Sequence, residues 1–182
     1  MKNRGTYLFL AGLVAALGLG WAGFPRALYQ RRAQPVDFSH KVHSDKAGMK
    51  CEDCHELAAD GRFAGIPGLE KCAGCHAAAM GTTAAEKHFM DSYVTPQREV
   101  EWAVYAGQPE NVYFSHAAHV RQAHLACASC HGDHGSSDAL RPYEVDRISG
   151  YSRDVWRAMK MDDCVRCHEQ HGREMSCLDC HK

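Results

Sequence analysis

The sequence predicts a mainly irregular chain with short α-helices, organised around bound groups rather than an apolar core and preceded by one N-terminal transmembrane helix. Three observations carry that prediction. The pattern Cys-x-x-Cys-His occurs five times, at Cys51/Cys54/His55, Cys72/Cys75/His76, Cys127/Cys130/His131, Cys164/Cys167/His168 and Cys177/Cys180/His181, and it uses all ten cysteines. A charge-free stretch from Gly5 to Pro25, apolar from Tyr7 to Phe24, follows Lys2 and Arg4. Gly61, Gly65, Pro67 and Gly68 make the connection between the first two motifs loop-like.

Cys-x-x-Cys-His is the attachment pattern of a c-type haem. Two thiols bond to the two vinyl groups of one macrocycle, and the two intervening residues put both sulfurs on one of its edges. The adjacent His then falls beneath the iron as its proximal ligand. Other uses of the pattern fit less well. Zinc knuckles come in pairs, and five is odd. A thioredoxin-type motif would be single and set in a βαβ pattern. Iron–sulfur sites use denser runs without a His after every second Cys, and structural disulfides place no His after each pair. Five covalently bound c-type haems are therefore expected, with His55, His76, His131, His168 and His181 as proximal ligands. About 147 residues follow the membrane segment, roughly 29 per haem. That is too little polypeptide to build a core around each. The haems are expected to stack and form much of the core, and the chain without them is expected not to fold.

Residues 1–34 read as an uncleaved signal-anchor with a basic flank. Eighteen apolar residues suffice to cross a bilayer and are many for a signal-peptide core, and a clean small-x-small cleavage site is missing. Trp21 and Phe24 suit the outer interface, where Arg26, Arg31 and Arg32 meet lipid headgroups. Covalent haem attachment takes place outside the cytoplasmic membrane. The expected topology is thus single-pass in the inner membrane, with the globular part in the periplasm.

Residues 35–83 form a first two-haem unit, 84–113 a cysteine-free linker and 114–182 a second unit with three haems. Ala84 to Tyr93 is expected to be helical with Thr83 as N-cap, Gln97 to Tyr105 is helix-compatible, and Tyr151 to Met161 is expected to be a helix capped by Ser152. Trp102 and Tyr105 are expected to pack on haem edges.

Eight histidines remain beyond the proximal five: His40, His43, His88, His116, His119, His124, His134 and His171. Four of them sit in a repeated element. Phe38-Ser39-His40-Lys41-Val42-His43 precedes the first motif, and Phe114-Ser115-His116-Ala117-Ala118-His119 precedes the third, 76 residues later. The i, i+3 spacing points both rings from nearly one helix face. His40, His43, His116 and His119 are the expected distal ligands. For the fifth, His134 and His171, each three residues after a proximal His, stand ahead of His88, and His124 is the expected bystander. Methionine ligation, at Met49, Met80, Met90, Met159, Met161 or Met175, is the minority alternative. Three histidines are spare, enough for an additional non-covalent haem without requiring one.

The net charge of −1 hides an asymmetry: residues 1–35 hold five basic residues and no acid, so residues 36–182 carry about −6. An acidic periplasmic body steers a basic electron-transfer partner towards it. No basic patch with interleaved aromatics exists for nucleic acid.

The Phe-Ser-His-x-x-His element before Cys-x-x-Cys-His resembles the class III multihaem cytochromes c, in which its two histidines serve as distal ligands to different haems. With the N-terminal anchor and the passage from Glu101-Trp102 through Glu110-Asn111-Val112-Tyr113-Phe114 to His119, the whole chain is similar to the membrane-anchored multihaem cytochrome c subunits of the Qrc menaquinone reductase and alternative complex III group. That resemblance implies an electron-transfer subunit of a quinone-linked complex without substrate turnover of its own. It further implies an iron–sulfur or molybdopterin-like periplasmic subunit and a polytopic membrane subunit as neighbours. In the first type, electrons arrive from a soluble basic tetrahaem cytochrome c and go towards menaquinone; in the second, they leave quinol for an oxidase. The acidic body favours the first. A stand-alone quinol dehydrogenase is a further reading, against which Cys51 lies well beyond the helix. A multihaem nitrite or sulfite reductase would need an open distal site, and the abundance of histidine argues against one.

Overall fold

The computed structural model describes residues 3–62, 64–152 and 159–182. Helix α1, Asn3–Leu28, has no buried residue and is long and apolar enough to cross a membrane. Its 26 residues span about 39 Å at 1.5 Å per residue. Pro25 is tolerated one turn before the end, where few further intrahelical bonds depend on it.

The chain passes from α1 directly into strand β1, Tyr29–Arg32, which pairs antiparallel with β2, Tyr143–Asp146. Tyr29 stands opposite Asp146 and Arg32 opposite Tyr143. The Arg31 guanidinium lies 3.3 Å from the Glu144 carboxylate. The Arg147 N–H donates to the Leu28 carbonyl at 2.9 Å. Part of the basic flank expected to face lipid is therefore engaged by the body of the protein.

The rest of the chain is short helices joined by turns. Helix α2, His40–Ala47, begins where the Ser39 hydroxyl accepts from the Val42 N–H and ends at Gly48, whose φ of +67° is left-handed. Helices α3 (Cys51–Cys54), α4 (Leu69–Ala73), α6 (Ala128–His131), α7 (Met161–Gln170) and α8 (Cys177–Cys180) carry all or part of the cysteine motifs. Helix α5, Ala84–Phe89, is capped by Thr83 as expected and continues into a π-helical turn, Met90–Val94. A second π-helical turn, Ala117–Gln122, follows His116.

One sequence expectation is corrected. Residues 97–105 are not helical: Gln97 has a φ of +52°, and a turn closed by Arg98 N–H to Tyr93 C=O sends the chain back over α5. That reversal lets Val100 and Trp102 pack on the apolar cluster of Val36, Leu69, Phe89 and Tyr93, a gain in burial that outweighs local helix preference. Ser152 forms an isolated bridge with Val145; of the expected helix from Tyr151 to Met161 with Ser152 as its cap, residues 153–158 lie outside the described residues. Among the described residues, the buried apolar side chains are Val36, Leu69, Phe89, Tyr93 and Val145, and no large side chain is fully enclosed. A chain of this length ordinarily buries far more.

Candidate haem sites

In four of the motifs both cysteines lie on one short helix or at its cap, so the residues at i and i+3 share one face. Three of these helices are capped from within. Asp53 accepts from the Lys50 N–H at 2.7 Å, Asp163 from Lys160 at 3.4 Å and Asp179 from Ser176 at 2.7 Å. A carboxylate at the third helical position suits the positive end of the helix.

Cys75 departs from this pattern. Helix α4 ends at Ala73, so it holds Cys72 but not Cys75, which lies exposed in the turn that follows. Gly74 stands between them, and its low helix propensity favours ending the helix there. The turn nevertheless keeps the helical sense. Gly74 has a φ of −56° and a ψ of −33°. The Cys75 N–H donates to the Cys72 carbonyl at 3.2 Å and the His76 N–H to the same carbonyl at 2.9 Å. Cys75 is thus held to Cys72 by a tightened turn rather than by a helix.

All ten cysteines are free thiols on exposed or half-exposed ground. Burial raises the Cys54, Cys72, Cys130 and Cys164 thiols above their ordinary range. Cys51 is raised by burial and then by the neighbouring Cys127.

The repeated elements fold alike. Phe38 meets His40 edge-on at 4.9 Å and 85° and stacks on His43 at 4.5 Å and 21°. Phe114 meets His116 at 4.9 Å and 83° and stacks on His119 at 4.4 Å and 20°. Each of these four histidines faces the histidine of one motif. The ring centroids are 6.4 Å apart for His40 and His55, 6.1 Å for His43 and His76, 6.2 Å for His116 and His131 and 5.8 Å for His119 and His168.

Most of these rings also have their Nδ1 atoms engaged. His43 Nδ1 is 2.8 Å from the Ser39 carbonyl and His119 Nδ1 2.8 Å from that of Ser115. His55 Nδ1 is 2.9 Å from the Gly65 carbonyl and His116 Nδ1 2.6 Å from that of Arg62. His76 Nδ1 is 2.9 Å from Glu86 Oε1. His40 Nδ1 is 3.3 Å from the Ser137 hydroxyl. His168 Nδ1 is buried with no hydrogen-bond partner among the described residues. A carbonyl or carboxylate at Nδ1 makes that nitrogen the N–H donor and turns the lone pair of Nε2 outward, the tautomer a metal ligand needs. His40 is pushed down to about 4 by burial, then by His134, His55 and His43. His131 and His134 are lowered too, chiefly by burial. These rings are held neutral.

The residues fit the group implied by the motifs. Two imidazoles on opposite faces of one iron, each with a metal–nitrogen bond of ~2 Å, stand about 6 Å apart between centroids, the separation found in all four pairs. Cysteine sulfurs at i and i+3 beside the motif histidine supply the two covalent attachment points.

A family model for the class III cytochrome C family matches residues 24–101, which include α2 and the first two motifs. The multiheme cytochrome c subunit of menaquinone reductase from Nitratidesulfovibrio vulgaris (strain Hildenborough) is 42% identical over 193 aligned positions, covering 98% of this chain and 90% of that protein. The chain belongs to this family of multihaem cytochrome c subunits.

In this cytochrome subunit, the remaining histidines lie apart from the four pairs or beside them. His134 tilts towards His40 at 5.6 Å, next to the first pair. His171 caps α7 and directs Nδ1 to the Cys167 carbonyl at 2.8 Å. Among the described residues, neither pairs with His181 as the four pairs do. His181 instead bridges Val112 while the Tyr113 N–H donates to the Cys180 carbonyl. His88 has both nitrogens engaged, Nε2 at 3.0 Å from the Pro35 carbonyl and Nδ1 at 3.2 Å from the Ser92 hydroxyl. His124 adopts a φ of +53° in a loop. Trp102 packs on the Val36 cluster and meets Phe38 edge-on at 6.2 Å. Tyr105 meets Tyr143 of β2 edge-on at 5.8 Å. Sequence reading missed Glu86, whose spacing after Thr83 signals only a cap. It also missed Gly61, whose carbonyl accepts from the Ala117 N–H at 2.9 Å and docks the second histidine element.

Proposed function

We propose that this chain is a pentahaem, membrane-anchored electron-transfer subunit of a menaquinone-linked oxidoreductase. It accepts electrons from a basic tetrahaem cytochrome in the periplasm and relays them towards menaquinone. The observation that carries the reading is the set of four facing histidine pairs, in which five of the eight rings turn Nε2 outward through a carbonyl or carboxylate at Nδ1. Each bound c-type haem would supply a one-electron iron couple and no open coordination position where two histidines hold it.

The residues support a row of five centres. His40 and His43 share α2, so the centres at Cys51 and Cys72 are neighbours. Cys51 neighbours Cys127 closely enough to interact with it, which joins the first two-haem unit (35–83) to the second (114–182). His116 and His119 share one element, joining the centres at Cys127 and Cys164. Cys164 lies within electrostatic reach of Cys180. The order along the row is thus Cys72, Cys51, Cys127, Cys164, Cys177. Val36, eight residues beyond α1, packs with Leu69 and Cys72, which links the Cys72 end to the segment that follows the anchor. The excess of acid outside the anchor favours a basic donor. The relative from N. vulgaris, named as part of a menaquinone reductase, supports the quinone-linked assignment.

The test is to extract membranes from cells carrying the C-terminally tagged chain in mild detergent. Haem per chain and co-purifying subunits are then measured. Five haems per chain, low-spin spectra and a fixed ratio to a large periplasmic subunit and a polytopic membrane subunit are expected. Reduction by a lysine-rich tetrahaem cytochrome should be faster than by quinol. Emergence of the tagged chain alone, or a dominant high-spin signal, overturns the reading.

A further inference from the structure

The partners of the paired rings are not equivalent. His43, His55, His116 and His119 each face a backbone carbonyl, and His40 faces a hydroxyl. Among the described residues, His76 alone in the pairs faces a formal charge: Glu86 Oε1, at 2.9 Å. At the other extreme, His168 Nδ1 is buried without a partner among the same residues.

Glu86 is committed to this contact. Thr83-Ala84-Ala85-Glu86 has the spacing of a capping box, and the Thr83 hydroxyl does accept from the Glu86 N–H at 3.1 Å. The carboxylate, however, does not return to the start of the helix. Its Oε1 takes His76 Nδ1 and the Met80 N–H, both at 2.9 Å. The side chains of His76 and Glu86 are 18% and 14% exposed, so water screens their interaction little. The adjacent Lys87 does not compete, because its ammonium goes to Asp91.

A carboxylate on Nδ1–H draws that proton towards itself and makes Nε2 more basic. A more basic axial nitrogen stabilises the oxidised, more positive iron over the reduced one and lowers the reduction potential. A carbonyl does this weakly, and a ring with no acceptor not at all. We propose that Glu86 is a positioning residue that makes His76 the strongest axial donor of the chain and gives the centre at Cys72/Cys75 the lowest reduction potential of the five. The proposal rests on the reading above that His76 is an axial ligand.

The experiment is a potentiometric titration of the full-length, detergent-extracted complex, followed in the visible haem bands, with near-infrared magnetic circular dichroism on the same samples. The unsubstituted protein should show one low-spin component with imidazolate-like character. In Glu86→Gln, which keeps the shape and removes the charge, the lowest-potential component should shift upward, lose that character and leave the other four in place. Glu86→Asp should restore it in part. Unchanged potentials in Glu86→Gln overturn the proposal. So does the absence of any imidazolate-like component in the unsubstituted protein, a measurement that stands even if the variants fail to assemble. A haem count below five or a loss of low-spin spectra in the unsubstituted protein overturns the functional reading itself, and is distinguished by requiring no substitution.

Discussion

The ring of Phe38 stacks on the imidazole of His43, 4.5 Å between centroids and 21° from parallel. The same phenylalanine meets His40 edge-on, so one side chain fixes the planes of two histidines that face two different motifs. Phe114 does the same for His116 and His119. Such aromatic contacts contribute about 1 kcal/mol beyond burial. Phe38→Ala should therefore loosen the His40/His55 and His43/His76 pairs together. Electron paramagnetic resonance should show two low-spin components broadened or shifted, with the components on the Phe114 side unchanged.

Gly61 should tolerate no side chain. Its φ is +69°, and a Cβ there would stand 2.7 Å from the Cβ of Ala117. Because the Gly61 and Arg62 carbonyls hold the Ala117 N–H and His116 Nδ1, the clash falls on the second histidine element. Gly61→Ala should cost on the order of 1–3 kcal/mol. A lowered thermal midpoint and a perturbed His116/His131 centre should accompany it. Adding Ala117→Gly should recover the part due to the clash and not the part due to the backbone.

Blocking haem attachment should leave the part beyond α1 unfolded. Its buried apolar residues number five among the described residues, too few to offset the chain entropy of a body this long. Circular dichroism and limited proteolysis of protein made without haem maturation would check this. A protease-resistant, cooperatively melting apoprotein would contradict it.

Two truncations should behave differently. Replacement of residues up to Leu28 by a cleavable export signal, which keeps haem attachment outside the cytoplasmic membrane, should release the body from the membrane fraction with its haems intact. Removal up to Arg32 also deletes β1, its pairing with β2 and the Arg31–Glu144 contact. The second product should melt lower than the first. Equal melting temperatures would show that the strand pair contributes nothing.

The sequence made the chemistry legible because haem attachment needs fixed residues at fixed local spacing. The same holds for His40, His43, His116 and His119, whose i, i+3 spacing survives in short helical elements, and for the Thr83 cap. Even Cys75, left outside α4, keeps its distance to Cys72 through one tight turn. Features set by distant partners were not legible. Tyr-Gln-Arg-Arg at 29–32 has no strand alternation and becomes β1 only because Tyr143–Asp146 lies alongside it. Glu86 looks like a helix cap until the loop carrying His76 comes within reach of it. Residues 97–105 carry helix-compatible residues, yet Val100 and Trp102 gain more by packing on the Val36 cluster than by helical bonds. The ligand opposite His181 is not set by a local repeat, which is why neither spacing nor the four pairs identify it.

The direct passage of α1 into β1, with Arg147 bonded back to Leu28, means that the body has no leash. With α1 in the bilayer, the Leu28–Arg147 bond and the β1–β2 pair tie the body to the end of the helix with no flexible linker between them. A partner therefore has to reach a body held close to the lipid surface.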